Sequence, residues 1–215
     1  MPELRLHIFI AILFLMGWST SDTHGQDWVP MKDTAGFASK LAEMAKSTRT
    51  IQSEFVQTKH MSFLTEDLLT KGRFLFKKEN KIRWEYSEPY QYVIVMNAGK
   101  ILIKDGEKEN KFDIKSRIIF NRINEMMLNT IQGKVLNRSD FNSKFFQSDK
   151  HFIVKMTPVT KKMQKYVETI EIYFGKADYH VAVIKITESS GDFTKISFIN
   201  RVSNVELDEE KFNVK

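Results

Sequence analysis

The chain has 215 residues, 42% of them hydrophobic, with 17 Phe and no Cys. That length suits one domain or at most two small ones, and the missing Cys excludes a disulfide scaffold, a thiol nucleophile and thiolate metal ligands. The 33 Lys and Arg against 27 Asp and Glu give a net charge of +6, which favours lipid headgroups, acidic proteins or nucleic acid without choosing among them.

The opening stretch "LRLHIFIAILFLMGW" places one Arg before an apolar run from Ile8 to Leu15, followed by small polar residues. This is the pattern of a secretory signal peptide, with cleavage expected after Gly25. The run is too short to span a bilayer, which takes about 20 residues. Residues 1–25 are therefore set aside as a leader, and 26–215 are expected to form one domain. Losing Glu3, Arg5 and Asp22 leaves 32 basic and 25 acidic residues, a net charge of +7.

From Asp33 to Thr48 the apolar residues Phe37, Leu41, Met44 and Ala45 recur at helical spacing, with Asp33 or Thr34 as N-cap. Period-two alternation follows from Ile51 through Phe55 to Lys59, then in "KGRFLFKK", "KIRWEYSE", "YQYVIVMN", "KILIKDG" and "NKFDI". The gaps between these strands are too short for crossovers, so the neighbours are antiparallel and the simplest topology is a meander. Pro89 cannot donate to a ladder and belongs at a turn. In "KSRIIFNRINEMMLNTIQG" the period changes: Ile119, Ile123, Met126, Met127 and Ile131 follow helical spacing, ending at Gly133. A short helical piece is expected in "RSDFNSKFF", capped by Ser139. Four more strands follow, in "HFIVKMTP", "VETIEIYFG", "HVAVIKITES" and "FTKISFINRV", with Lys161 to Lys165 as a basic hairpin loop. The sum is an α+β domain with one large, curled antiparallel sheet and two or three helices on one face.

Catalytic signatures are missing: there is no GxSxG elbow, phosphate-binding glycine loop or HExxH helix. His60, His151 and His180 are far apart, and Asp105, Glu107 and the Asp208 to Glu210 run sit in turn-like settings. No catalytic residue, metal ligand or cofactor is assigned. Nucleic acid is not expected either, because Ile82, Trp84 and Tyr86 share one strand face while Arg83 and Glu85 share the other, so aromatics and charges are segregated. What remains is an apolar face running through Phe74, Phe76, Ile82, Trp84, Tyr86, Ile94 and Met96, more than the few helices can plainly cover. A loosely covered apolar concavity suits a hydrophobic ligand.

The run "FVQTK", then "KGRFLFKKENKIRWEYSEP" and "VIVMNAGKILIKD", resembles the periplasmic lipoprotein carrier proteins of Gram-negative bacteria, the LolA family. The shared pattern is Phe55-x-Gln57, Gly72 opening a strand, a basic pair, Arg83-Trp84, Pro89 and a turn glycine before an apolar strand. The resemblance implies an incomplete, open β-barrel whose apolar concave side is covered by a helical lid. It also implies a monomeric periplasmic carrier that takes acylated lipoproteins from an inner-membrane ABC transporter and delivers them to an outer-membrane acceptor. The acyl chains would be lined by Phe55, Phe74, Phe76, Ile82, Trp84, Tyr86, Ile94 and Met96 of the sheet and Ile119, Ile123 and Met127 of the lid. Lys78 stands where the family commonly has an arginine, followed by proline, that fastens the lid to helix backbone; here Glu79 follows. Competing readings are a lipid-binding or sensor module with another cargo and a lipid-acting hydrolase with unrecognised catalytic groups.

Overall fold

The structure is a computed structural model that describes residues 28–106, 108–113 and 140–214. The expected leader and the second helix, with Ile119, Ile123 and Met127, lie outside the described residues.

After a two-residue strand β1 (Val29–Pro30) comes helix α1 (Thr34–Ser47). The Asp33 carboxylate accepts from the Gly36 N–H at 2.8 Å, and the Thr48 hydroxyl donates to the Met44 carbonyl at 2.8 Å, so side chains satisfy groups at both helix ends. Phe37, Leu41 and Ala45, spaced four apart, form its buried stripe.

Two antiparallel meanders make the sheet. The first contains β2 (Thr50–His60), β3 (Leu68–Lys77), β4 (Lys81–Glu88), β5 (Tyr92–Asn97), β6 (Lys100–Asp105) and β7 (Lys108–Asp113). The second contains β8 (Phe141–Gln147), β9 (His151–Pro158), β10 (Thr169–Gly175), β11 (Val181–Thr187) and β12 (Phe193–Ser203), with a one-turn helix α2 (Lys161–Gln164) between β9 and β10. Pairing of β12 with β2 joins the meanders into a 12-stranded sheet, in the order β1-β8-β9-β10-β11-β12-β2-β3-β4-β5-β6-β7. The order terminates at β1 and β7, so the sheet is not closed. Tight turns set the register. Between β5 and β6, Ala98 and Gly99 both have positive φ, as a two-residue hairpin that follows strand twist requires.

Two local expectations are corrected. Residues 141–147 are strand β8 rather than helix: Phe141, Ser143 and Phe145 alternate onto one face, and pairing along β9 overrides a pattern equally readable at helical spacing. The basic segment Lys161–Gln164 is helix α2, capped by Thr160, rather than an open hairpin loop.

Both sheet faces carry buried clusters, made with different parts of the chain. On one face α1 packs through Phe37 and Leu41 on Val154, Met156, Ile170, Ile172 and Phe174. Continuing along that face, Ile51, Phe55, Phe74, Phe76, Ile82, Trp84, Met96 and Ile101 form a second cluster, and Phe198 borders both. On the reverse face the C-terminal segment carries Leu207, Phe212 and Val214 onto Leu75, Val95 and Leu102. It is stapled by Thr50 Oγ1 to the Val205 carbonyl at 2.6 Å and by Lys77 Nζ to the Leu207 carbonyl at 2.8 Å. Glu209 of the short 3-10 helix Glu209–Phe212 bridges Lys77 and Lys81.

Candidate functional site

The sheet residues expected to line a cavity project from one face and fall into two groups. Phe55, Phe74, Phe76 and Ile82 are almost fully buried and make a floor. The Phe55 ring meets Trp84 edge-on at 4.9 Å between centroids and Tyr86 at 5.1 Å, while Phe74 lies 4.7 Å from Trp84 and 5.6 Å from Phe198. Edge-to-face packing of this kind aligns the ring quadrupoles and stiffens the cluster. Gly72, opposite Phe55 in the ladder, is what lets the Phe55 ring lie flat on β3: a Cβ there would fall 2.7 Å from its Cζ.

Beside this floor is an open hollow of about 720 Å³, within the range of sites that hold small ligands. Trp84, Tyr86, Ile94 and Met96 form one wall, and Ile186, Ile196 and Thr194 of β11 and β12 another. The rim is made by Lys165, Tyr166 and Val167 from the β9–β10 connection and by Glu188, Ser189 and Ser190 after β11. Of the eight expected sheet residues, four thus border the hollow and four lie beside it in the same buried cluster.

Gln57 adds a polar group that the apolar reading of the face did not include. Its amide oxygen accepts from the Tyr86 hydroxyl at 3.3 Å, at the margin of the hollow. Burial, with a smaller contribution from nearby Tyr92, pushes the Tyr86 phenol up to about 12, so Tyr86 remains a neutral donor at any physiological pH. Gln57, Ile186 and Ile196 were visible as alternating residues on their own strands. Their convergence on Trp84 depends on the β12–β2 pairing, which joins distant segments.

Lys78, between β3 and β4, reaches α1. Its Nζ donates to the Lys46 carbonyl in the last turn at 2.7 Å, and its backbone N–H donates to the Arg49 carbonyl at 2.9 Å. A cation at this end also faces the negative pole of the helix. A lysine thus makes a side-chain contact to helix backbone, with one point donor in place of a guanidinium fork.

Among the described residues no group of three or more His, Asp or Glu is placed to hold a metal, and no helix is long and apolar enough to cross a membrane. His60 pairs with Asp67 at 2.8 Å, His151 packs against Tyr173, and His180 lies 3.3 Å from the Ser203 hydroxyl. The reverse face, with Arg83 donating to the Lys211 carbonyl, is committed to holding the C-terminal segment.

The chain is similar to known proteins in sequence and in fold. An outer-membrane lipoprotein carrier protein of Methylococcus capsulatus is 22% identical over 81% of this chain and 81% of its own. That of Francisella philomiragia is 26% identical over 70% of each. Among solved structures, MucB superposes with a TM-score of 0.53 at 12% identity, covering 86% of this chain and 64% of MucB. An uncharacterised conserved protein of Thermus thermophilus gives 0.50 at 8% identity, covering 82% and 90%. At such identities the two structures speak for the fold alone. The family described as outer membrane lipoprotein carrier protein LolA matches residues 46–215, which takes in strands β2 to β12, the aromatic floor and the C-terminal staple, and this chain belongs to that family.

Proposed function

We propose that the chain is a periplasmic carrier that holds the acyl chains of lipoproteins in the hollow over Trp84, Tyr86, Ile94 and Met96 and moves them from the inner to the outer membrane. The observation that carries this reading is an open apolar hollow of about 720 Å³ built on a rigid aromatic floor. The assignment of its lining, with Ile119, Ile123 and Met127 as the lid's contribution, belongs to this proposal. Each methylene withdrawn from water contributes about 0.8 kcal/mol, so six sheltered methylenes supply about 5 kcal/mol, between three and four orders of magnitude in affinity. That is enough to capture a chain and little enough to release it to a stronger acceptor. Lys78 acts as a latch: the single charged hydrogen bond to the end of α1 holds the helix when the hollow is empty and yields at modest cost when cargo enters. The carrier itself needs no nucleotide; an inner-membrane ABC transporter loads it and an outer-membrane acceptor empties it.

The test is displacement of an environment-sensitive fatty-acid probe by a lipidated peptide, compared with the same peptide lacking acyl chains. Only the lipidated peptide should compete. Ile94→Trp, which fills the hollow from its wall, should weaken competition about tenfold or more while leaving the circular dichroism spectrum intact. Failure of both peptides to compete would end this reading. Turnover of lipid esters would favour a hydrolase on the same scaffold instead.

A further inference from the structure

Large apolar side chains are not scattered evenly over the surface. β2, β4, β9 and β11 end, and β3, β5, β10 and β12 begin, at the same end of the sheet. At that end Phe63 is 76% exposed in the β2–β3 hairpin, Tyr90 is 80% exposed in the β4–β5 turn and Tyr166 is 66% exposed in the β9–β10 connection. Leu64, Leu68, Leu69 and Val159 are exposed beside them, whereas Val29, Ile199 and Val202 are the large exposed apolar residues found elsewhere among the described residues. Hydrogen bonds join these loops into one surface: the Ser62 N–H donates to Asp192 Oδ1 at 2.8 Å, and the Ser189 hydroxyl donates to the Gln164 carbonyl at 2.6 Å. Lys71 and Glu88 pair at 2.8 Å between β3 and β4.

The hollow opens at this same end, since Lys165, Tyr166 and Glu188 to Ser190 form its rim. Charges at this end are arranged unevenly. Asp67, Glu88 and Glu188 are matched by His60, Lys71 and Lys59, and Asp192 accepts from Ser62. Glu66, Asp105 and Glu168 have no ion pair with a described cation, and Asp140, whose carbonyl accepts from the Val159 N–H at 2.9 Å, also lies at this end. Lys161, Lys162 and Lys165 stand without an acidic partner there and cluster in one connection, flanking Val159 and Tyr166. Aromatic tips on three separate loops, with lysines beside Tyr166, match the boundary between headgroups and acyl chains: amphipathic rings settle at that depth and ammonium groups stay among the phosphates.

We propose that this end of the sheet docks on the surface of an anionic phospholipid bilayer. Phe63, Tyr90 and Tyr166 enter the interface, and Lys161, Lys162 and Lys165 lie at headgroup level. Combined with the acyl-chain reading above, docking in this orientation brings the mouth of the hollow to the membrane surface, where the transporter and the acceptor of that reading stand.

The experiment is co-sedimentation of residues 26–215, which include every described residue, with vesicles of phosphatidylcholine alone or mixed with phosphatidylglycerol. The protein should partition onto the mixed vesicles, and less so as salt is raised. The combined variant Phe63→Ser, Tyr90→Ser, Tyr166→Ser should lose about tenfold or more of that partitioning. The variant Lys161→Glu, Lys162→Glu, Lys165→Glu should lose the preference for anionic vesicles. All six positions are outside the buried clusters, and circular dichroism of each variant is the control for folding. Serine variants that sediment like the parent would overturn the proposal. So would a parent that binds neither vesicle; with probe displacement intact, that result leaves the carrier reading standing and assigns the surface to a protein partner. Vesicle binding without probe displacement would instead sustain docking and end the acyl-chain reading.

Discussion

Gly72→Ala tests whether the aromatic floor depends on close backbone approach. A Cβ at this position would lie 1.9 Å from the Glu85 carbonyl oxygen and 2.7 to 2.8 Å from two carbons of the Phe55 ring. Neither neighbour gives way readily. The carbonyl belongs to strand β4, held in the ladder with β3, and the Phe55 ring is buried against Trp84 and Tyr86. Overpacking a fitted core costs about 1–3 kcal/mol, and a collision with backbone belongs at the upper end. The alanine gains about 0.4–1 kcal/mol through a less flexible unfolded chain. The net expectation is a loss of about 2–3 kcal/mol, or roughly 5–10 °C in Tm for a domain of this size. Thermal and urea unfolding followed by far-ultraviolet circular dichroism would measure it. The double variant Phe55→Ala, Gly72→Ala separates the two collisions: the penalty should persist there if the carbonyl causes most of it. A Tm for Gly72→Ala equal to or above that of the parent would refute the argument.

Phe212→Ala should cost about 3–5 kcal/mol, because this fully buried ring anchors the C-terminal segment on Leu75, Val95 and Leu102; a loss of unfolding free energy in urea below about 1 kcal/mol would mean the segment docks by its polar staples alone. Lys78→Met should speed hydrogen exchange at the end of α1 and lower the concentration of lipidated peptide needed for probe displacement, whereas Lys78→Arg should restore both; identical behaviour of the two variants would deny the latch. Burial, reinforced by Arg201 and opposed by Asp178, holds the His180 imidazole below its ordinary value of 6.5, and burial with Lys150 does the same to His151. The unfolded chain therefore binds these protons first as pH drops through 6.5, so stability should hold above that pH and fall below it until the folded imidazoles also charge. Urea midpoints between pH 7.5 and 5.5 should show the slope, and His180→Gln should flatten part of it; a midpoint that rises on acidification in this window contradicts the assignment.

Much of the fold was written in local patterns. Phe37, Leu41 and Ala45 at helical spacing, the alternation from Ile51 onward and the turn residues around Pro89 and Gly99 each identify an element, because helix and strand periodicities depend on neighbours a few residues away. The segregation of Trp84 from Arg83 was legible for the same reason, and it shows which strand face turns toward the hollow. Tertiary structure alone decided the rest. Phe141 and Phe145 satisfy either periodicity, and only the partner strand β9 makes them strand. The pairing of β12 with β2 brings Ile186 and Ile196 across from Trp84, and no local pattern records which strands will meet. The acidic run at Asp208 to Glu210 reads as a solvated turn until Phe212 is seen filling the reverse face and Glu209 bridging Lys77 and Lys81. A hollow is a property of the distance between surfaces contributed by remote segments, so the chain announces an apolar face but leaves its depth, rim and mouth to the folded molecule.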